Sequence, residues 1–193
     1  MAKETLVAGV DEVGRGCLFG PVVAAAVVLP QSQLPKLVEI GVKDSKQLGA
    51  KKRSQLLEEI QKIVTSSAVG YGTVSEIDRI NILQASLLAM KRAVLKLKVQ
   101  PEICSIDGYQ IIPQLSIPQK NIIGGDRTSP VIAAASIVAK VWRDDLIVRL
   151  SEKYPHYDLA SNKGYGTKKH RLALAKYGPS PQHRMSFRPC QVV

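Results

Sequence analysis

Little in the sequence would place the chain outside a reducing, aqueous compartment. Its three cysteines, Cys17, Cys104 and Cys190, are odd in number and far apart, which excludes a disulfide framework and any zinc spacing. No apolar run reaches the roughly 20 residues that a membrane helix needs. The longest, FGPVVAAAVVLP, is interrupted by Pro21 and closed by Pro30. The leading residues MAKETLVAG mix acid with base and lack signal-peptide architecture, so the expected location is the cytoplasm, with no membrane partner. Repeats and low-complexity tracts are missing. There is no GxxxxGK[ST] loop, and the glycines from Gly14 to Gly20 read GxGxxxG ahead of Pro-Val-Val, a strand and not a helix. A dinucleotide or P-loop site is thereby excluded, because the pyrophosphate would lack its helix N-terminus. His156, His170 and His183 are spread out with no zinc signature, and are expected at the surface or against phosphate.

Acid is scarce relative to base. Against 27 Lys and Arg stand 16 Asp and Glu, a net charge of +11, and residues 140–193 hold 11 basic and 4 acidic side chains, +7 of that total. A field of this sign attracts polyanions, although a solvated basic surface alone would look the same.

What is present is a globular chain of 193 residues, 45% apolar, enough for one domain with at most a small appendage. TLVAGVD reads as a buried strand, PVVAAAVVL as a second, and SAVGYGTVS as a third. The segment turns helical from about Ala50, with Leu56, Leu57, Ile60 and Ile63 on one stripe. A long helix is expected from Ser75, with Ile82, Leu83, Leu87, Leu88, Ala93 and Val94 on its apolar face. EICSID and KNIIGGD read as short strands. SPVIAAASIVAKVWRDDLIVRLSEKY reads as a long helix with Pro130 in its first turn, and TKKHRLALAKYG as a last helix stopped by Gly178. Strands followed by alternating helices and strands imply an α/β sheet with helices packed on it, and a small helical lobe after about Tyr154.

Three of these strands run into acids: Asp11 with Glu12, then Asp107, then Asp126. Carboxylates that converge repel one another unless their pKa values rise or divalent cations sit among them. Hard oxygen ligands suit Mg²⁺ or Mn²⁺. Two such ions roughly 4 Å apart can clamp the attacking and leaving oxygens of a phosphodiester. Neighbouring strand residues point to opposite faces, so the strand is expected to end at Asp11, with Glu12 swinging round on a turn that Gly14 and Gly16 permit. The bland alternative is that each acid merely caps a strand. Ser136 and Lys140, one helical turn apart in an Ala-rich helix, read as packing residues rather than a nucleophilic dyad.

These blocks together resemble the ribonuclease HII family. GVDEVGRGCLFGPVVAAAVVL is similar to its N-terminal signature and KDSKQL to its DSK segment. SIDG and GGDRTSPVIAAASIVAKVWRD are similar to the blocks carrying its third and fourth acids, and NKGYGTKKH and HRMSF to its C-terminal blocks. The resemblance covers nearly the whole chain. It implies a ribonuclease H-like mixed sheet flanked by helices, with residues 1–150 as the catalytic part and 151–193 as a helical, basic substrate-binding segment of the same unit. It implies hydrolysis of the RNA strand of RNA–DNA hybrids. It also implies incision of duplex DNA 5′ to an embedded ribonucleotide, leaving 3′-hydroxyl and 5′-phosphate ends.

By motif match, Asp11, Glu12, Asp107 and Asp126 would be the catalytic, metal-binding carboxylates for Mn²⁺ or Mg²⁺. Gly14, Arg15 and Gly16 would sense the ribonucleotide 2′-hydroxyl, Tyr165 would pack on the sugar at the RNA–DNA junction, and Lys46 would contact phosphate. The 2′-hydroxyl is what separates RNA from DNA at a site, and a Gly-rich backbone reaches it unobstructed. The Asp-Glu pair at residues 11 and 12 and the Gly-Tyr-Gly block favour type HII over the sister type HIII. Arg127, directly after the fourth acid, is expected to point away from it. The chain is expected to act as a monomer. Two rival readings remain: a non-catalytic nucleic-acid-binding protein using the same basic face, and a metal-dependent nuclease of the same fold without ribonucleotide selectivity.

Overall fold

The structure, a computed structural model, describes residues 4–42 and 49–191. A five-stranded mixed sheet forms its centre. In chain order the strands are β1 (Leu6–Val13), β2 (Val22–Pro30), β3 (Ser66–Gly72), β4 (Ile103–Asp107) and β5 (Gln119–Ile122), arranged β3-β2-β1-β4-β5. β2 runs antiparallel to β1 and β3, whereas β4 lies parallel to both β1 and β5. β2, VVAAAVVLP, is buried from Val22 to Leu29, as a strand covered on both faces must be.

Period-two alternation divides the strands between two cores. Val7, Ala25, Val27 and Leu29 face one layer, made by α1 (Leu34–Glu39), α2 (Ala50–Ile63) and α5 (Pro130–Lys153). Ala8, Val10, Ala24, Ala26, Val28, Cys104 and Ile106 face the other, where α3 (Val74–Leu95) packs. Contact with α5 is unusually close at Gly9, where an added Cβ would lie 2.2 Å from the Val131 carbonyl oxygen. A bare backbone there lets the helix sit against β1 and carries the side chains further along α5 to the strand's end.

α3 is broken at Asn81 (φ 68°, ψ 166°). The Asn81 side-chain oxygen accepts from the Leu83 and Gln84 amides at 2.9 and 3.1 Å, which starts a second helical segment as an N-cap would. The first segment has its own capping box, Thr73 with Glu76. The helix expected from Ser75 is thus two helical segments joined by a kink at Asn81.

A third apolar cluster gathers the C-terminal part of the chain. Tyr157, Leu159, Ala173, Leu174 and Cys190 pack on Leu18 and Phe19 from the loop after β1, and on Ile147 of α5. The short α6 (Leu159–Asn162) and α7 (Lys168–Tyr177) form this helical lobe. The end of KNIIGGD differs from expectation. β5 stops at Ile122, and Asp126 lies in the single-turn α4 (Gly125–Thr128). Two glycines, with Gly124 at φ 62°, turn the chain before the acid arrives.

Candidate active site

β1 does not end at Asp11. It continues to Val13, with Glu12 paired opposite Ala24. The two acids therefore keep opposite faces, and what brings them together is the stagger of the next strand. β4 pairs with β1 only as far as Ile106 beside Val10, so Asp107 stands level with Asp11 and the β1 edge beyond it is uncovered. Around that bare edge Asp11, Glu12 and Asp107 all line one cavity of about 460 Å³, together with Gly14, Arg15, Gly16, Tyr165, Arg53, Ser136 and Lys140.

Each carboxylate has its own local partners. Asp11, only 4% exposed, accepts from the Glu12 amide at 2.8 Å and from the Ser136 hydroxyl. Burial first, then the charges of Glu12 and Asp107, hold its carboxyl well above the usual carboxylate range. Glu12 is raised too, chiefly by burial, against the pull of Arg15, whose Nη1 lies 3.2 Å from Oε1. Asp107 accepts the Gly125 amide at 2.7 Å. Asp126, the next residue, is buried at the start of α4 and is not among the cavity's described lining residues. Arg127 is exposed, with its guanidinium beside Gly124.

Among the described residues, no group of three or more acidic, histidine or cysteine side chains is closed tightly enough to hold a metal ion. The donor chemistry nevertheless fits a hard divalent cation. Three carboxylates converge, and two of them are costly to ionise where they stand, so a cation among them removes the repulsion. Closing on it would require Glu12 to exchange Arg15 for the ion.

Two buried arginines hold the loops that frame this cavity, and neither was read from the sequence. Arg143 of α5 is fully buried and donates to the carbonyls of Pro21, Phe19 and Lys163 at 3.2, 3.0 and 2.8 Å. Its Nε would lie 2.2 Å from a Cβ at Gly14, where φ is +90°. Arg184, also fully buried, donates to the carbonyls of Arg15 and Gly20 at 2.8 and 2.9 Å. Ser136, Lys140, Arg143 and Ile147 form one stripe of α5 at helical spacing, and this stripe was the available signal. Ser136 proves to be a partner of Asp11 as well as a small packing residue. Lys140 pairs with Asp144 at 2.8 Å, and its Nζ lies 5.8 Å from the centre of the Tyr165 ring.

Tyr165 is 40% exposed at the cavity wall, and its backbone forms a β-bridge with Cys17. Gly16 has open space on its Cα, with nothing within 4 Å of a would-be Cβ. His170 and His183, expected at the surface, are buried against each other. Lys46 lies outside the described residues.

The family model for Ribonuclease HII matches residues 8–190. The chain belongs to the ribonuclease HII family. A curated Ribonuclease HII of Trichormus variabilis is 63% identical over 187 residues, covering 97% of this chain and 83% of that protein. One from Acaryochloris marina is 59% identical, covering 96% and 93%. Among solved structures, ribonuclease H2 from Pyrococcus horikoshii superposes with a TM-score of 0.85 at 28% identity, covering 97% of this chain and 96% of that one. The RNase HII of an Archaeoglobus fulgidus PCNA:RNase HII complex gives 0.78 at 31% identity, covering 93% and 92%. The fold is thus ribonuclease H-like. The chain is an enzyme of this class, an endoribonuclease whose products carry 5′-phosphates.

Proposed function

We propose that the protein hydrolyses the RNA strand of RNA–DNA hybrids and incises duplex DNA on the 5′ side of an embedded ribonucleotide. The observation that carries this reading is the meeting, in one cavity, of Asp11, Glu12 and Asp107 with the Gly14–Gly16 backbone and Tyr165. Acids alone would suit any metal-dependent nuclease. An unobstructed glycine backbone beside them suits a ribose hydroxyl.

In this reading Asp11, Glu12, Asp107 and Asp126 hold Mn²⁺ or Mg²⁺, a pair of ions that would neutralise the phosphate and favour ionisation of the attacking water. Ser136 fixes the rotamer of Asp11, and the Gly125 amide fixes that of Asp107. Lys140 and Arg53, on the cavity wall, offset phosphate charge. Water attacks phosphorus in line, the bond from phosphorus to the upstream 3′-oxygen breaks, and the 3′-hydroxyl leaves with a proton from solvent. The downstream ribonucleotide keeps the 5′-phosphate. Gly14, Arg15 and Gly16 read the 2′-hydroxyl, and Tyr165 packs on the sugar across the junction. Lys46 is assigned a phosphate contact from the sequence alone.

Residues 1–150 carry the chemistry and residues 151–193 the substrate grip, within one folded unit acting as a monomer. The third apolar cluster, which joins Leu18 and Phe19 to Tyr157 and Leu174, supports such a union. The cytoplasm is the proposed location. No helix among the described residues is long and apolar enough to cross a membrane. Removal of misincorporated ribonucleotides and of replication primers are the corresponding roles.

The test is incision of a labelled DNA duplex bearing one ribonucleotide, with Mn²⁺ or Mg²⁺, beside an all-DNA duplex and the Asp11→Asn variant. A single nick 5′ to the ribonucleotide, absent in both controls, is expected. Nicking of the all-DNA duplex would favour the unselective nuclease, and binding without any nick would favour the non-catalytic protein.

A further inference from the structure

Behind Tyr165 runs a chain of hydrogen bonds whose proton positions are fixed by its ends. The Ser180 amide donates to Nδ1 of His183 at 2.9 Å, so that nitrogen carries no proton. The proton of a neutral His183 is therefore on Nε2, which lies 3.0 Å from Nε2 of His170. His170 must accept there, which leaves its proton on Nδ1, 2.9 Å from the carbonyl oxygen of Tyr165. The Ser180 hydroxyl also lies 2.9 Å from Nδ1 of His183 and can donate to it beside the amide. From His183 through His170 to the Tyr165 carbonyl, each donor meets an acceptor only if both rings are neutral. A charged ring at either position sets two N–H groups face to face.

The surroundings favour neutrality. His170 is fully buried and His183 is 1% exposed. Tyr157 presents its ring edge-on to both, at 5.9 and 4.6 Å, and Phe19 does so to His183 at 5.1 Å. Asp158 acts on His170 from the turn before α6 and is itself drawn toward Lys169 at 4.0 Å. Arg184, next in the chain, turns away to the carbonyls of Arg15 and Gly20. Burial pushes His170 down, and burial with the neighbouring ring pushes His183 down to about 4.

We propose that His170 and His183 are positioning residues for Tyr165, acting as a neutral pair that sets where its ring stands at the RNA–DNA junction. This rests on the role given to Tyr165 above. Neither histidine lines the acidic cavity. It works through the Tyr165 carbonyl, while residue 183 is bridged to Phe19 and residue 184 holds Arg15. The same short C-terminal segment thereby fixes both halves of the ribonucleotide-selecting wall.

The experiment compares kcat/KM on a DNA duplex with one ribonucleotide against kcat/KM on a uniform RNA–DNA hybrid. The ratio cancels effects common to both hydrolyses. His183→Phe keeps the ring volume and removes the donor, and is expected to lower the ratio roughly tenfold at pH 7.5 with hybrid cleavage retained. His183→Gln, whose amide can still donate to His170, is expected to restore it. Tyr165→Ala is run beside them. A lowered ratio in Tyr165→Ala with a parent-like ratio in His183→Phe overturns this inference alone. A parent-like ratio in Tyr165→Ala overturns the Tyr165 reading and this inference with it. Should His183→Phe fail to fold, ¹⁵N spectra of the parent's imidazoles decide. Neutral Nδ1–H on His170 and Nε2–H on His183 at pH 7.5 are expected, and either ring charged, or the opposite tautomers, overturns the proposal.

Discussion

Arg184 donates to the carbonyl of Arg15 at 2.8 Å, across 169 positions of sequence. The contact joins the end of the chain to the loop that borders the acidic cavity. The guanidinium is fully buried and its bonds go to carbonyl oxygens, so the interaction is one of shape and hydrogen bonding more than of ion pairing. Burial lowers its pKa to about 10, which leaves it charged at neutral pH.

Arg184→Ala should therefore destabilise the fold by about 2–4 kcal/mol, since it leaves the carbonyls of Arg15 and Gly20 buried without donors and opens a cavity. Urea denaturation measures this. Stability within about 0.5 kcal/mol of the parent would show that the clasp contributes little.

The two glycines flanking Arg15 should part company. At Gly14 the positive φ and the Arg143 side chain leave no room for a methyl group, so Gly14→Ala should cost about 2–4 kcal/mol. Gly16→Ala should fold normally, because its Cα faces open space. If substrate fills that space, Gly16→Ala loses incision at single ribonucleotides with an unchanged melting temperature. Parent-like incision would remove Gly16 from the recognition surface.

Asp11→Asn should do opposite things to stability and to turnover. Its carboxylate is buried beside Glu12 and Asp107, so removing the charge should raise the melting temperature in the presence of a chelator. The same change should cut turnover about a thousandfold or more. A divalent cation should stabilise the parent more than the variant. Calorimetry with and without Mn²⁺, beside a cleavage assay, tests all three.

The histidine pair gives a pH signature. Since the folded state holds His183 near 4 while an unfolded chain takes up its proton near 6.5, the unfolded state binds more protons between these values. The contribution is complete above about pH 6.5 and is lost as pH falls toward 4. His183→Gln should be less stable than the parent at pH 7.5 and lose less on acidification. Denaturation midpoints of the two proteins at pH 7.5 and 4.5 should converge, and parallel shifts would refute this origin.

Much of the fold was legible in the sequence because burial leaves a period. The strands at β1, β2 and β3 and the helices at Ala50 and Pro130 follow from it directly. The acids were legible as residue types at strand ends, yet the geometry that gathers them was not. Glu12 stays in a regular strand and reaches the cavity because β4 stops short, and the stagger of a neighbouring strand leaves no mark on β1 itself. Asp126 lies in a helical turn because two glycines intervene. The break at Asn81 was hidden by an apolar pattern that runs through it, although Asn before a helical segment is a capping signal. His170 and His183 were expected at the surface or against phosphate and Arg143 and Arg184 were not singled out, because the burial of all four depends on carbonyls and rings from distant segments. The Lys46 assignment falls outside the described residues.

The loop after β1 is closed from far away. Phe19 and Pro21 accept from Arg143, more than 120 positions later, and Arg15 and Gly20 from Arg184, later still. A chain lacking Arg184 would keep Asp11, Glu12, Asp107 and Asp126 but would lose the donors to the carbonyls of Arg15 and Gly20. Under the proposed reading, the support of the Gly14–Gly16 wall is thus a separate matter from the supply of carboxylates, and losing the one is expected to blunt selectivity while the other remains in the chain.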